Sequence, residues 1–134
     1  MQGRSNALIA VCIIGVMLSV AACASQQQQV TLGPAKGEVT SQMKASDFKF
    51  EPNNLKAYKG DMIVFRIENT SGSGHNFTII DPRGNSLQSV SLPSKETITV
   101  KVPLTEAGTY SFYCDKPMHS GFGMKGTIEV VPLP

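Results

Sequence analysis

One short stretch of the chain concentrates donors that bind soft metals. Cys114-Asp115-Lys116-Pro117-Met118-His119-Ser120-Gly121-Phe122-Gly123-Met124 places a thiol, an imidazole and a thioether with four residues between successive donors. Thiolate and thioether are soft ligands and imidazole is borderline, a set that suits copper. Sulfur stabilises the cuprous state, nitrogen supports the cupric state, and a long bond to Met weakly completes the shell. A fourth donor must come from elsewhere, and His75 is the only other histidine in the chain. The expected ligands of a single copper ion are therefore His75, Cys114, His119 and Met124.

Taken singly, each of these residues has an ordinary explanation. Cys114 reads as a small buried hydrophobe, Met124 as a core filler and either histidine as a satisfied side chain. Taken together the ordinary explanation fails, because the domain's lone cysteine and both histidines would have to fall by accident into one ligand pattern. Gly121 and Gly123 permit backbone angles that a tight ligand loop requires, and Pro117 removes one amide donor near the sulfur.

The elements that must position these donors read as strands. From Glu38 onward, β-branched and aromatic runs alternate with turn residues about every ten positions, the pattern of a sandwich or barrel. Expected strands are Val39 to Ala45, Asn53 to Tyr58, Met62 to Asn69, Asn76 to Ile80, Ser86 to Ser91, Glu96 to Val102, Gly108 to Cys114 and Lys125 to Val131. Ile63, Phe65 and Ile67 alternate with Val64, Arg66 and Glu68, so the first group faces the core, and Ile98, Val100 and Val102 repeat the pattern. His75 follows the turn Ser71 to Gly74 and opens a strand, while Cys114 closes one. Both donor groups thus fall at strand ends, where sandwiches carry their sites.

Near its start the 134-residue chain carries Arg4 and then an apolar run from Ala7 to Ala22, which read as an export signal. Val20-Ala21-Ala22-Cys23 resembles a bacterial lipobox, which makes Cys23 the expected lipid-bearing residue and residues 1–22 a cleaved signal peptide. The alternative is an uncleaved transmembrane anchor. Either holds the domain at a membrane outside the cytoplasm. Residues 23–37 are Gln-rich and read as a flexible tether, the alternative being a short first strand near Val30 to Leu32. Residues 38–134 form the domain. With Cys12 in the signal and Cys23 acylated, Cys114 has no disulfide partner, and a lone thiol in an oxidising compartment calls for burial, intermolecular pairing or metal ligation. Without Arg4, the twelve basic residues become eleven against ten acidic ones, so charge offers no argument for nucleic acid.

From about Val39 to Val131 the chain resembles the cupredoxins, particularly the plastocyanin, azurin and auracyanin type of small electron carrier. The resemblance is carried by Asp47-Phe48-Lys49-Phe50-Glu51-Pro52, the Lys59-Gly60-Asp61 turn, His75-Asn76, Gly108-Thr109-Tyr110-Ser111-Phe112-Tyr113-Cys114 and above all the ligand loop. It implies an all-β, eight-stranded Greek-key sandwich with trigonal copper on His75, Cys114 and His119 and an axial Met124. It also implies that Asn76 pins the two ligand loops together and shapes hydrogen bonding near the thiolate. The four-residue gap between Cys114 and His119 resembles azurin and auracyanin rather than plastocyanin.

The expected function is one-electron transfer between membrane-associated redox proteins, by a monomer that is not an enzyme. A catalytic copper centre needs further histidines and a binuclear one needs two cysteines, neither of which this domain supplies. Two rivals remain open on sequence: a module that stores or delivers copper, and a metal-free structural sandwich. Pro117, Met118 and Phe122 flank His119 and are expected to form an apolar docking patch, unless Phe122 turns into the core.

Overall fold

The computed structural model describes residues 29–33 and 37–134. Among these residues there is no helix, and the chain forms ten strands. They are β1 (Val30–Thr31), β2 (Glu38–Ser46), β3 (Lys49–Glu51), β4 (Asn54–Tyr58), β5 (Met62–Asn69), β6 (His75–Ile80), β7 (Ser86–Leu92), β8 (Thr97–Pro103), β9 (Gly108–Tyr113) and β10 (Lys125–Val131). One sheet has the order β1-β4-β10-β9-β6-β7 and the other β3-β2-β5-β8. The chain crosses between the sheets repeatedly, giving the expected all-β Greek-key sandwich.

Period-two alternation builds the core, since successive side chains leave opposite faces of a strand. In β5, Ile63, Phe65, Ile67 and Asn69 point inward; in β2, Val39, Ser41, Met43 and Ala45 do. Val100 and Val102 are buried as expected, with Ile98 packed at the edge of the same cluster. Four phenylalanines fill the space between the sheets. Phe77 and Phe112 stack at 5.3 Å, and Phe50 and Phe65 meet both of them in edge-on or tilted contacts at 5.1–6.0 Å. Removing one such ring costs about 3–5 kcal/mol. Gly126, opposite Phe112 on the neighbouring strand, is required because a Cβ there would lie 2.3 Å from the Phe112 ring and 2.4 Å from the Asn53 carbonyl.

Two short strands go beyond the eight that the resemblance implies. The stretch read as tether contains β1, which pairs parallel to β4 through Val30 with Leu55 and Thr31 with Lys56, and Leu32 is buried in the core. The Leu32 amide donates to the Lys56 carbonyl at 2.8 Å. Residues 30–32 are therefore part of the sandwich: the free edge of β4 pairs with their backbone and Leu32 enters the core, while Val30 stays exposed. The other addition is β3, which pairs antiparallel to β2 and adds a strand within the Asp47 to Pro52 motif. Strand β8 extends to Pro103, which its edge position tolerates. Residues 1–22 and Cys23 lie outside the described residues.

Candidate metal centre

The same alternation that makes the core delivers two of the expected ligands. His75, Phe77 and Ile79 are successive inward positions of β6; Tyr110, Phe112 and then Cys114 continue the inward face of β9. β6 and β9 are hydrogen-bonded neighbours, with Thr78 opposite Tyr113 and Ile79 opposite Phe112. His75 and Cys114 consequently converge at one end of the sandwich, and both are essentially fully buried.

The loop from Cys114 to Met124 braces itself through its backbone. The Cys114 amide donates to the Met124 carbonyl at 3.0 Å, and the Met124 amide donates to the His119 carbonyl at 3.0 Å. Further bonds link His119 to Lys116, Phe122 to Met118 and Gly123 to Ser120. Gly123 adopts φ 105°, a conformation natural only to glycine, whereas Gly121 has no such angle and Met118 takes the loop's other left-handed position at φ 68°. Met124 is fully buried, immediately before β10 and beside Cys114.

Three donor atoms meet. His75 Nδ1 lies 3.1 Å from His119 Nδ1, and Cys114 Sγ lies 3.6 Å from the same His119 nitrogen. The donors of His75, Cys114 and His119 all fall within 4.8 Å of one another. His119 is only half-buried, so the cluster has one side toward solvent. Burial, then the neighbouring His119 and Lys116, hold the His75 pKa below its ordinary value, with the Asp47 carboxylate opposing them. The ring is thus kept neutral with a lone pair available. Two imidazoles and a thiol, with a buried thioether in the same loop, constitute a donor set that fits copper.

Asn76 connects the two ligand segments. Its Oδ1 accepts the Asp115 amide at 2.8 Å, and its Nδ2 donates to Thr78 Oγ1 at 3.3 Å. Thr78 in turn reaches Asp115 Oδ2 at 3.4 Å.

Several contributors escaped sequence reading. Ser71 Oγ sits 2.9 Å from His75 Nε2, and the buried Asn69 holds Ser71. Lys116 Nζ donates to the Gly74 carbonyl, so the second ligand loop also grips the turn before His75. Phe48 lies edge-on to the His119 ring at 5.0 Å and against Phe122 at 5.2 Å. The usable signal for Ser71 was a hydroxyl four residues before a strand-opening histidine. For Phe48, an aromatic beside Asp47 in a hairpin turn gives none, because its contact spans 71 positions of sequence to His119.

Together the fold and these donors define a small β-sandwich built around one mononuclear metal centre. The family model described as a cupredoxin-like domain matches residues 10–130, and the chain belongs to that family. Plastocyanin from Capsella bursa-pastoris is 38% identical over 89 residues, covering 60% of this chain and 86% of that protein. Among solved structures, dithionite-reduced auracyanin from Roseiflexus castenholzii superposes with a TM-score of 0.62 at 19% identity, over 75% of this chain and all of the other. The metal-binding domain of the Cu(I)-exporting ATPase CopA of Streptococcus pneumoniae, with Cu(I), reaches 0.58 at 18% identity, over 78% of this chain and 97% of that one.

Proposed function

We propose that this protein is a one-electron carrier whose single copper ion is held by His75, Cys114 and His119, with Met124 as a weak axial donor. When bound, copper supplies a one-electron couple. The observation that carries the reading is the convergence of His75 Nδ1, His119 Nδ1 and Cys114 Sγ at the end of a stiff sandwich. The chain holds these donors at one end of the six-stranded sheet, on the neighbouring strands β6 and β9 and in a self-braced loop, so the ligand set changes little when the charge at the centre changes. Such a site transfers electrons with small reorganisation, which supports the carrier reading.

Around the solvent side of His119 lies an exposed apolar surface, with Phe48, Met118 and Phe122 at 42%, 69% and 61% exposure and Pro117 beside them. A transient redox protein docks there, a few ångströms from the ligand edge, and leaves again because the patch is small. The similarity to the CopA domain keeps copper delivery as a second reading. Stoichiometric titration of the purified protein with Cu(II), reductant and oxidant separates the two. A carrier gives an intense visible band that bleaches and returns over repeated cycles with copper retained. Delivery gives weak colour and loss of Cu(I) to a chelator.

The carrier works outside the cytoplasm, in line with the lipobox-like sequence, and Cys23 bears the lipid that tethers it to a membrane. Mass spectrometry of the mature N-terminus tests this. A diacylglyceryl mass on Cys23, absent with precursor accumulation in Cys23→Ser, supports the anchor, and a mature chain starting elsewhere refutes it.

A further inference from the structure

We propose that Ser71 is a positioning residue for the metal. Its hydroxyl accepts the Nε2–H of His75 and thereby commits Nδ1 of that ring to the copper. The redox part of this inference rests on the copper reading above; the tautomer part does not.

The polarity of the contact follows from its neighbours. Asn69, 1% exposed, directs Nδ2 at three backbone carbonyls, of Ser73 at 2.9 Å, Leu92 at 2.9 Å and Pro93 at 3.1 Å. Carbonyls only accept, so the Asn69 amide cannot be turned round, and its Oδ1 must face Ser71. That oxygen receives the Ser71 amide at 3.0 Å and lies 2.8 Å from Ser71 Oγ. The Ser73 carbonyl is also 2.8 Å from Oγ. Both are pure acceptors, and a hydroxyl has one proton, so Ser71 donates toward this pair. What Oγ presents to His75 Nε2, 2.9 Å away, is a lone pair. The ring must therefore carry its proton on Nε2. Nδ1 is left as the donor, facing His119 Nδ1 at 3.1 Å.

Asp47 does not compete with Ser71 at Nε2: its Oδ1 is 4.0 Å away, beyond hydrogen-bond reach, and its side chain is 71% exposed. Ser71 itself is 6% exposed and its carbonyl accepts Ser94 Oγ at 2.9 Å, so the hydroxyl is fixed from both sides. An acceptor on the remote N–H orients the ring and raises the donor strength of the ligating nitrogen. Stronger nitrogen donation favours the cupric state.

The test combines ¹⁵N NMR of metal-free protein with reduction potentials of the copper-loaded protein, for wild type, Ser71→Ala and Ser71→Thr. In metal-free wild type His75 is a single Nε2–H tautomer, and in Ser71→Ala it becomes a mixture. With copper bound, Ser71→Ala weakens Cu(II) affinity about tenfold relative to Cu(I), which raises the potential by about 59 mV. Ser71→Thr, which keeps the hydroxyl, retains both wild-type values. A wild-type proton on Nδ1 overturns the proposal whether or not the alanine variant folds. An unchanged tautomer or an unchanged potential in a folded Ser71→Ala overturns it as well. Failure of wild type to bind copper would instead refute the function proposed above, since the tautomer assignment is made without metal.

Discussion

Asn76 Oδ1 accepts the backbone amide of Asp115 at 2.8 Å, joining the strand that begins with His75 to the residue that follows Cys114. The two ligand segments are 39 residues apart in sequence, and this bond fixes their separation beside the donor atoms. Asn76→Ala removes the acceptor and leaves the Asp115 amide to water. The expected cost is about 1 kcal/mol, or a fall in Tm of about 4–8 °C for a domain of this size. Thermal unfolding of the metal-free protein measures it, and an unchanged Tm means the tie contributes nothing.

Acid should destabilise the metal-free protein. The folded-state pKa of His75 is held below its ordinary 6.5, chiefly by burial, so the unfolded chain takes up this proton first. The contribution of neutral His75 to stability is complete above the unfolded value and is lost as pH falls toward the lowered folded value. Urea midpoints at about pH 7.5 and about pH 5 should show a drop that is smaller in His75→Gln. Equal drops in both proteins would place the acid sensitivity elsewhere.

The sequence carried the fold because alternation governs almost every strand. Ile63, Phe65 and Ile67 lie inward as their period demands, and the positions of His75 and Cys114 follow from the same count. The ligand loop was legible from its three donors and their spacing. What stayed hidden depends on contacts between distant segments. β1 is too short to show a period and forms because an edge of β4 is open. Asn69 looks like a strand end and Ser71 like a turn residue until the carbonyls of Leu92 and Pro93, more than twenty positions away, are seen to orient Asn69 and through it Ser71. Phe48 acquires a role only through its packing on His119 and Phe122.

Phe122 lies outward rather than in the core, so a charge placed there meets any docking protein. Two copies meeting at this surface would exchange electrons directly, which allows a test without a named partner. Phe122→Lys and Met118→Lys should slow electron self-exchange about tenfold at low salt, the effect of about 1.4 kcal/mol of like-charge repulsion. NMR line broadening of mixed redox states measures the rate. Visible colour and Tm should stay as in wild type, and unchanged exchange in both variants would remove the patch from the account.

In the proposed site the two sulfurs have unequal roles: Cys114 would be the strong thiolate donor whose charge transfer to copper gives colour, and Met124 a weak donor that tunes the redox balance. Met124→Leu should keep most of the band and raise the potential, since losing a weak donor disfavours the cupric state. The most direct test of the central claim is the visible absorption spectrum of Cu(II)-loaded wild type beside Cys114→Ser. The account predicts an intense band in wild type that is abolished in the serine variant. A colourless wild type with copper bound, or a band that survives loss of the Cys114 thiol, would contradict it.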